Sequence, residues 1–271
     1  MTDMRQEAVS ATARWTAAVR AHESGLPDAL FTDPYAAGLA GEEGFRLLER
    51  YGNPGVKEFI AIRTRYLDEV AARAPGQVVL LAAGLDTRTA RLPWRPGTVV
   101  YEVDRPALLE AKDEELAALG ARHGCGRRTV AADLTGDWTS ALRAAGWSSG
   151  EPTLWIAEGL LLYLPERDAR TLAATAAELS SPGDVLAGDL LSHQSMVSEF
   201  SREGLRRLTE DGCPWLFGTD RPEDFLTECG WKPAEVLCPG EPGASFGRWP
   251  WEPLPREVEG FPRNFLFTAR R

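Results

Sequence analysis

A chain of 271 residues, 44% hydrophobic and 26% charged, has the composition of an ordinary globular protein with one large core or two modest ones. Its formal charge of −10 argues against nucleic acid as the main partner, because a phosphate backbone calls for concentrated positive surface. No run approaches the roughly 18 to 20 uncharged apolar residues of a membrane span, so no membrane partner is expected.

The opening stretch Met1-Thr2-Asp3-Met4-Arg5-Gln6-Glu7 lacks the basic-then-apolar layout of a secretory signal, which makes a cytoplasmic protein the expectation. Residues 10–22 are alanine-rich and free of proline and glycine, the pattern of a helix. Residues 45–51 and 56–73 continue it, with Phe59, Ile62, Tyr66, Leu67 and Val70 spaced to share one apolar face. Pro75-Gly76 then breaks the chain, so residues 1–75 are expected to form a helical cap and 76–271 the core.

Beyond the break, short apolar runs alternate with amphipathic stretches. Strands are predicted at 77–82, 98–103, 128–132, 153–157 and 184–191, with helices at 108–119, 139–145 and 167–179. Such alternation implies βαβ units and a mostly parallel sheet. Helices at 196–208 and 221–229 read as an insertion after the fifth strand, spanning 192–232. Further strands at 235–237 and 264–269 bring the count to about seven, separated by a Pro/Gly-rich loop carrying Phe246, Trp249 and Trp251.

Ligands of such sheets gather beyond the carboxyl ends of the strands. That rule places Ala82-Ala83-Gly84, Asp104, Asp133-Leu134 and Glu158 at one site. A glycine turn after the first strand lets a ligand approach the backbone, and an acid ending the second can accept from ribose hydroxyls. The spacing from Gly84 to Asp104 suits NAD, FAD and S-adenosylmethionine equally. The dinucleotide fingerprint, however, needs glycine at 82, 84 and 87, and the chain has Ala82, Gly84 and Thr87. A pyrophosphate requires that cradle whereas S-adenosylmethionine carries no phosphate, so the pattern favours a methyl donor. A nicotinamide-dependent oxidoreductase and a non-catalytic nucleoside-binding protein stay open as alternatives. Glu158, directly after the apolar Leu154-Trp155-Ile156-Ala157, is hard to place in a core, because an unpaired buried carboxylate is costly. Asp86 and Arg88 open the next helix, where an acid favours the N-terminus electrostatically. No metal site is expected: His22, His123 and His193 are far apart, and Cys125, Cys213, Cys229 and Cys238 form no C-x-x-C pair and read as free thiols.

The stretch Val79-Leu80-Leu81-Ala82-Ala83-Gly84-Leu85-Asp86-Thr87-Arg88, followed by Tyr101-Glu102-Val103-Asp104-Arg105-Pro106, resembles the leucine carboxyl methyltransferase-like family. That family includes bacterial polyketide O-methyltransferases of the tetracenomycin-biosynthesis type. Asp33-Pro34-Tyr35-Ala36, Arg63-Thr64-Arg65-Tyr66-Leu67-Asp68, Ala132-Asp133-Leu134, residues 157–164 and Asn264-Phe265-Leu266-Phe267-Thr268 match in the same order. The resemblance implies a Rossmann-like class I methyltransferase fold and S-adenosyl-L-methionine as cofactor. It implies that Arg63 binds the cofactor carboxylate, Asp104 the ribose, Asp133 the adenine amino group with the Leu134 N–H on the ring, and that Glu158 faces the methionine end. The family usually has glycine where this chain has Ala82, a change tolerable at negative φ.

Methyl transfer from a sulfonium is an in-line displacement governed by positioning and desolvation. A carboxylate acceptor needs no base, whereas a phenol or alcohol benefits from one. His193, after the fifth strand, is the base candidate, and Tyr163 either reaches the acceptor or packs as a core ring. The expected reaction is O-methylation of a small natural-product-like molecule, with N- or C-methylation of an aromatic acceptor as the variant. The acceptor pocket is expected to draw on the insertion and the 246–251 loop. The sequence leaves the oligomeric state open.

Overall fold

The computed structural model describes residues 2–52, 54–74 and 76–271, the side chains of 2–11 and Pro54 excepted; Pro75 of the Pro75-Gly76 break lies outside the described residues. Three helices come first: α1 (Thr2–Ser24), α2 (Ala36–Tyr51) and α3 (Pro54–Ala71). The second starts nine residues earlier than its apolar pattern suggested and turns at Gly41, where φ is 56° and the helix breaks direction. The core alternates β1 (Gln77–Leu81), α4 (Arg88–Arg91), β2 (Val99–Asp104), α5 (Pro106–Ala118), β3 (Gly126–Ala131), α6 (Trp138–Ala144), β4 (Thr153–Ala157), a 3-10 turn at Leu161–Tyr163, α7 (Glu166–Leu179) and β5 (Val185–Leu191). Then follow α8 (Gln194–Val197), α9 (Arg202–Glu210), α10 (Pro222–Glu228), β6 (Lys232–Leu237) and β7 (Asn264–Arg270).

The seven strands form one sheet in the order β3-β2-β1-β4-β5-β7-β6. All neighbours are parallel except β7, which runs antiparallel to β5 and β6. With flanking helices this is a Rossmann-like α/β architecture, the mostly parallel sheet that the alternating pattern predicted. The central strands β1 and β4 are buried along their whole length, which is why they read as continuous apolar runs. At the edge, β3 buries only Val130, and its remaining positions stay polar or small.

Two-residue periodicity divides β1 between two cores. Val79 and Leu81 pack with Tyr101, Trp155 and the apolar faces of α6, α7 and α10. Val78 and Leu80 pack with Phe59, Ile62, Tyr66 and Leu67 of α3 and Trp15 and Val19 of α1. The cap is thus a layer on one face of the sheet, seated by the apolar stripe legible in α3. The single helix expected over 196–208 is two: Ser198 is extended (φ −66°, ψ 144°) and separates α8 from α9. Among the described residues no helix is long and apolar enough to cross a membrane, and all four cysteines are free thiols.

Candidate active site

The strand order reverses at β1, which has β2 on one side and β4 on the other. A cleft opens there in any such sheet. A cavity of about 740 Å³ lies beyond the strand ends, within the range typical of small-molecule sites. Its wall includes Arg63, Ala82, Ala83, Gly84, Asp104, Asp133, Leu134, Glu158 and Tyr163, so the residues expected at the site do converge. His193 is a correction: it does not line the cavity, because the chain turns into α8 and leaves the ring in solvent. Of the 246–251 loop only Trp249 reaches the wall; Phe246 sits under the Arg65 guanidinium and Trp251 is exposed.

The turn after β1 is built on two left-handed residues, Ala82 (φ 53°) and Gly84 (φ 47°). The sign at Ala82 departs from the negative φ that would make alanine comfortable. An L-residue there carries roughly 1–2 kcal/mol of strain that glycine would not. Asp104 holds the turn from the adjacent strand. Its Oδ2 accepts the Gly84 N–H at 2.7 Å and its Oδ1 the Arg105 N–H at 2.8 Å. Burial raises the Asp104 pKa, and these two N–H donors work the other way. A carboxylate offers about four acceptor positions, so two remain for further donors. Asp133 is exposed at the end of β3, and its Oδ1 accepts from Thr135 N and Oγ1 at 2.8 and 2.7 Å.

At the β4 end the site is ionic. Arg63 Nε donates to Glu158 at 3.0 Å and its Nη1 to Asp189 of β5 at 3.2 Å. Gly159 (φ 59°) donates its N–H to Asp189 at 2.6 Å, and a Cβ at this position would stand 3.1 Å from Arg63 Nη1. Glycine therefore lets the guanidinium lie against the backbone. Arg88, which reads in the sequence as part of a helix start, is buried and pairs with Asp68, Asp86 and Glu158. Arg91 continues to Asp68 and, at 3.8 Å, to Asp33, which Arg20 holds at 2.9 Å.

These contacts make one unbroken network from α1 through α3 and α4 to β4 and β5. It contains the guanidiniums of Arg20, Arg63, Arg88 and Arg91 and the carboxylates of Asp33, Asp68, Asp86, Glu158 and Asp189, one more acid than base. Burial acts to raise every one of these acids that shifts. Arg88, Lys112 and Arg91 together outweigh it at Asp86, held at about 2, and Arg88 with Arg63 outweighs it at Glu158. At Asp189 burial wins and the pKa is raised. A surplus carboxylate in a desolvated wall is a site for a cation. S-adenosylmethionine, with a sulfonium, an ammonium and one carboxylate, is a net cation, and the residues present fit it.

A leucine carboxyl methyltransferase family model matches residues 13–177. The chain belongs to the leucine carboxyl methyltransferase family. This methyltransferase is 41% identical over 250 residues to a Mycolicibacterium smegmatis protein named as S-adenosyl-L-methionine-dependent methyltransferase, with 83% of each chain covered. It is 39% identical to one of the same description from Rhodococcus jostii, covering 96% of this chain and 95% of that one. Among solved structures, a methyltransferase from Thermobifida fusca superposes with a TM-score of 0.61 at 20% identity, covering 88% and 93% of the two chains. A DUF574 family protein from Streptomyces avermitilis gives 0.63 at 15% identity over 96% and 97%. The methyltransferase therefore uses S-adenosyl-L-methionine as its methyl donor, and the nicotinamide and non-catalytic alternatives fall away.

Sequence reasoning missed Asp189, Asp68 and Arg88. The signal for Asp189 was present: a carboxylate in the middle of Leu186-Ala187-Gly188-Asp189-Leu190-Leu191 is as hard to place in a core as Glu158. Little local marks Asp68 and Arg88, because the partners of Asp68 and all those of Arg88 except Asp86 are distant in sequence.

Proposed function

We propose that this methyltransferase O-methylates a small natural-product-like acceptor, as the bacterial small-molecule branch of its family does, and that a carboxylate oxygen is preferred over an aromatic hydroxyl. One observation carries the preference: among the described residues, the acceptor side of the cavity holds no available base. In this reading that side lies past β5 and β7, where Leu191 pairs with Asn264, and takes Trp15, Phe59, Tyr163, Trp215, Trp249 and Ser195 from the cavity wall. No histidine lines it. Glu158 and Asp189 are engaged by Arg63. Burial pushes the Tyr163 hydroxyl up to about 12, so it stays protonated and can only donate or accept a hydrogen bond. An acceptor that arrives already ionised needs no proton removed.

The bound cofactor supplies an electrophilic methyl group on a sulfonium. In this reading Arg63 meets the cofactor carboxylate with the part of its guanidinium not given to Glu158 and Asp189, and the surplus acid of the network offsets the cationic end. Asp104 takes the ribose hydroxyls on its two remaining acceptor positions, Asp133 accepts from the adenine amino group, and the Leu134 N–H donates to the ring. Ala83 and Gly84 give backbone close enough to pack on. The aromatic wall excludes water from the acceptor and fixes its approach, which is where most of the rate enhancement of a displacement originates.

The test is transfer of labelled methyl to panels of aromatic acids, phenols and indoles. The expected order is acids, then phenols, with indoles inert. Transfer to indole carbon or nitrogen in preference to acids would overturn the reading.

A further inference from the structure

We propose that the acceptor is an amphiphile whose apolar tail leaves the cavity over exposed aromatic rings at its rim, the stacked Phe200 and Phe261 at one place and Trp251 at another. The proposal rests on the acceptor reading above and extends it from the reacting oxygen to the rest of the molecule. Phe200, Trp251 and Phe261 are 81%, 52% and 42% exposed, a concentration of apolar surface that a soluble chain seldom keeps without use. Phe200 and Phe261 stack on one another, with centroids 6.0 Å apart and planes 23° from parallel. Their chain neighbours Ser201 and Pro262 line the cavity. Trp249 also lines it, and its ring meets Trp251 edge-on at 5.0 Å and 74°. At two separate places, therefore, cavity wall passes directly into exposed aromatic surface.

The 251–261 side of this rim is held in place. Arg263 donates to the carbonyls of Leu254, Pro255 and Val258 at 3.0, 2.7 and 2.7 Å, folding the segment into a fixed platform. Arg256 ties the same segment to Glu223 and the Val236 carbonyl. With Arg256 and Arg263 turned inward and the exposed Arg202 paired to Glu199 at 2.9 Å beside Phe200, the remaining exposed charges along the 251–261 segment are Glu252, Glu257 and Glu259, which leaves the border net acidic. That border disfavours an anionic lipid surface, and a second copy docked face to face would bring like charges together. A free molecule with an uncharged tail meets neither obstacle.

The experiment measures binding of hexanoate, decanoate and tetradecanoate, and of para-alkylphenols of matching length, to the protein saturated with S-adenosylhomocysteine, alongside methyl transfer to the same compounds. Affinity should rise roughly threefold per methylene while the tail gains apolar contact. In the Phe200→Ser/Phe261→Ser protein the advantage of the longest over the shortest chain should drop by about tenfold or more, with S-adenosylhomocysteine affinity retained. Trp251→Ser gives an independent second check. A length dependence absent in the wild type, or unaltered in both variants, overturns the proposal. So does a wild-type dimer that the substitutions dissociate, or stable binding to phosphatidylglycerol vesicles. Length-dependent binding without methylation of either series would sink the O-methylation reading and leave the aromatic rim standing; methylation of short acids without length dependence would do the reverse.

Discussion

The carboxylate of Asp104 accepts the backbone N–H of Gly84 at 2.7 Å, so the acid that ends β2 also shapes the turn that ends β1. Two functions then converge on one side chain, ligand acceptance and turn geometry. Asp104→Ala removes both, and S-adenosylhomocysteine affinity should fall by about tenfold to a hundredfold, the loss of one or two charge-assisted hydrogen bonds. Titration calorimetry reads this directly, and unchanged affinity would remove Asp104 from the donor site.

Ala82 holds φ 53° within that same turn. Ala82→Gly should stabilise the protein by about 1 kcal/mol, since relief of the left-handed strain exceeds the added entropy of the unfolded chain. A higher urea midpoint at unaltered slope is the expected signature. A lower midpoint would show that the turn does not hold this conformation in solution.

Arg88 touches three carboxylates, and Arg88→Met leaves them facing one another in a buried wall. The cost should be about 3–5 kcal/mol. Acid sensitivity follows from the same network. Asp86 titrates at about 2 in the folded protein against 3.8 for an unperturbed aspartate, so its stabilisation is complete above about pH 4 and is lost as pH falls toward 2. Asp33 and Glu158, also lowered, act in the same direction. Asp104 and Asp189 are raised and act in the opposite one, with a penalty that grows as pH rises through their folded values. The wild-type melting temperature should therefore drop below about pH 4, and a melting temperature that climbs steadily between pH 4 and 2 would contradict the assignment of Asp86.

The absence of a described base on the acceptor side predicts a flat profile of kcat/KM from about pH 6 to 9 with a carboxylic acid acceptor. His193→Ala should superimpose on the wild type, because the ring stands in solvent away from the cavity wall. A unit-slope rise that disappears in the His193→Ala protein would return that residue to the chemistry.

Much of this arrangement was legible beforehand, for physical reasons that differ by element. The runs of β1 and β4 are continuous because both faces are buried, and the α3 stripe repeats because one face is. Those regularities marked the sheet, the cap and the strand ends where Asp104 and Glu158 sit. What escaped has no periodic trace. The four residues of α4 are too few to show a helical repeat, so Arg88 and Arg91 went unread as partners of Asp68. The sign of φ at Ala82 depends on the turn that Asp104 imposes. The break at Ser198 carries neither glycine nor proline to announce it.

The ion network that begins at Arg20 and ends at Asp189 has a further consequence. It crosses the sequence boundary near residue 75 at several points, so parting the helical layer from the sheet would strand charges on both sides. Cap and sheet should accordingly melt in one cooperative transition rather than two. A fragment lacking the first three helices should not survive as a smaller domain that still recognises the donor: what looks in the sequence like a detachable preface is part of the floor on which the reaction stands.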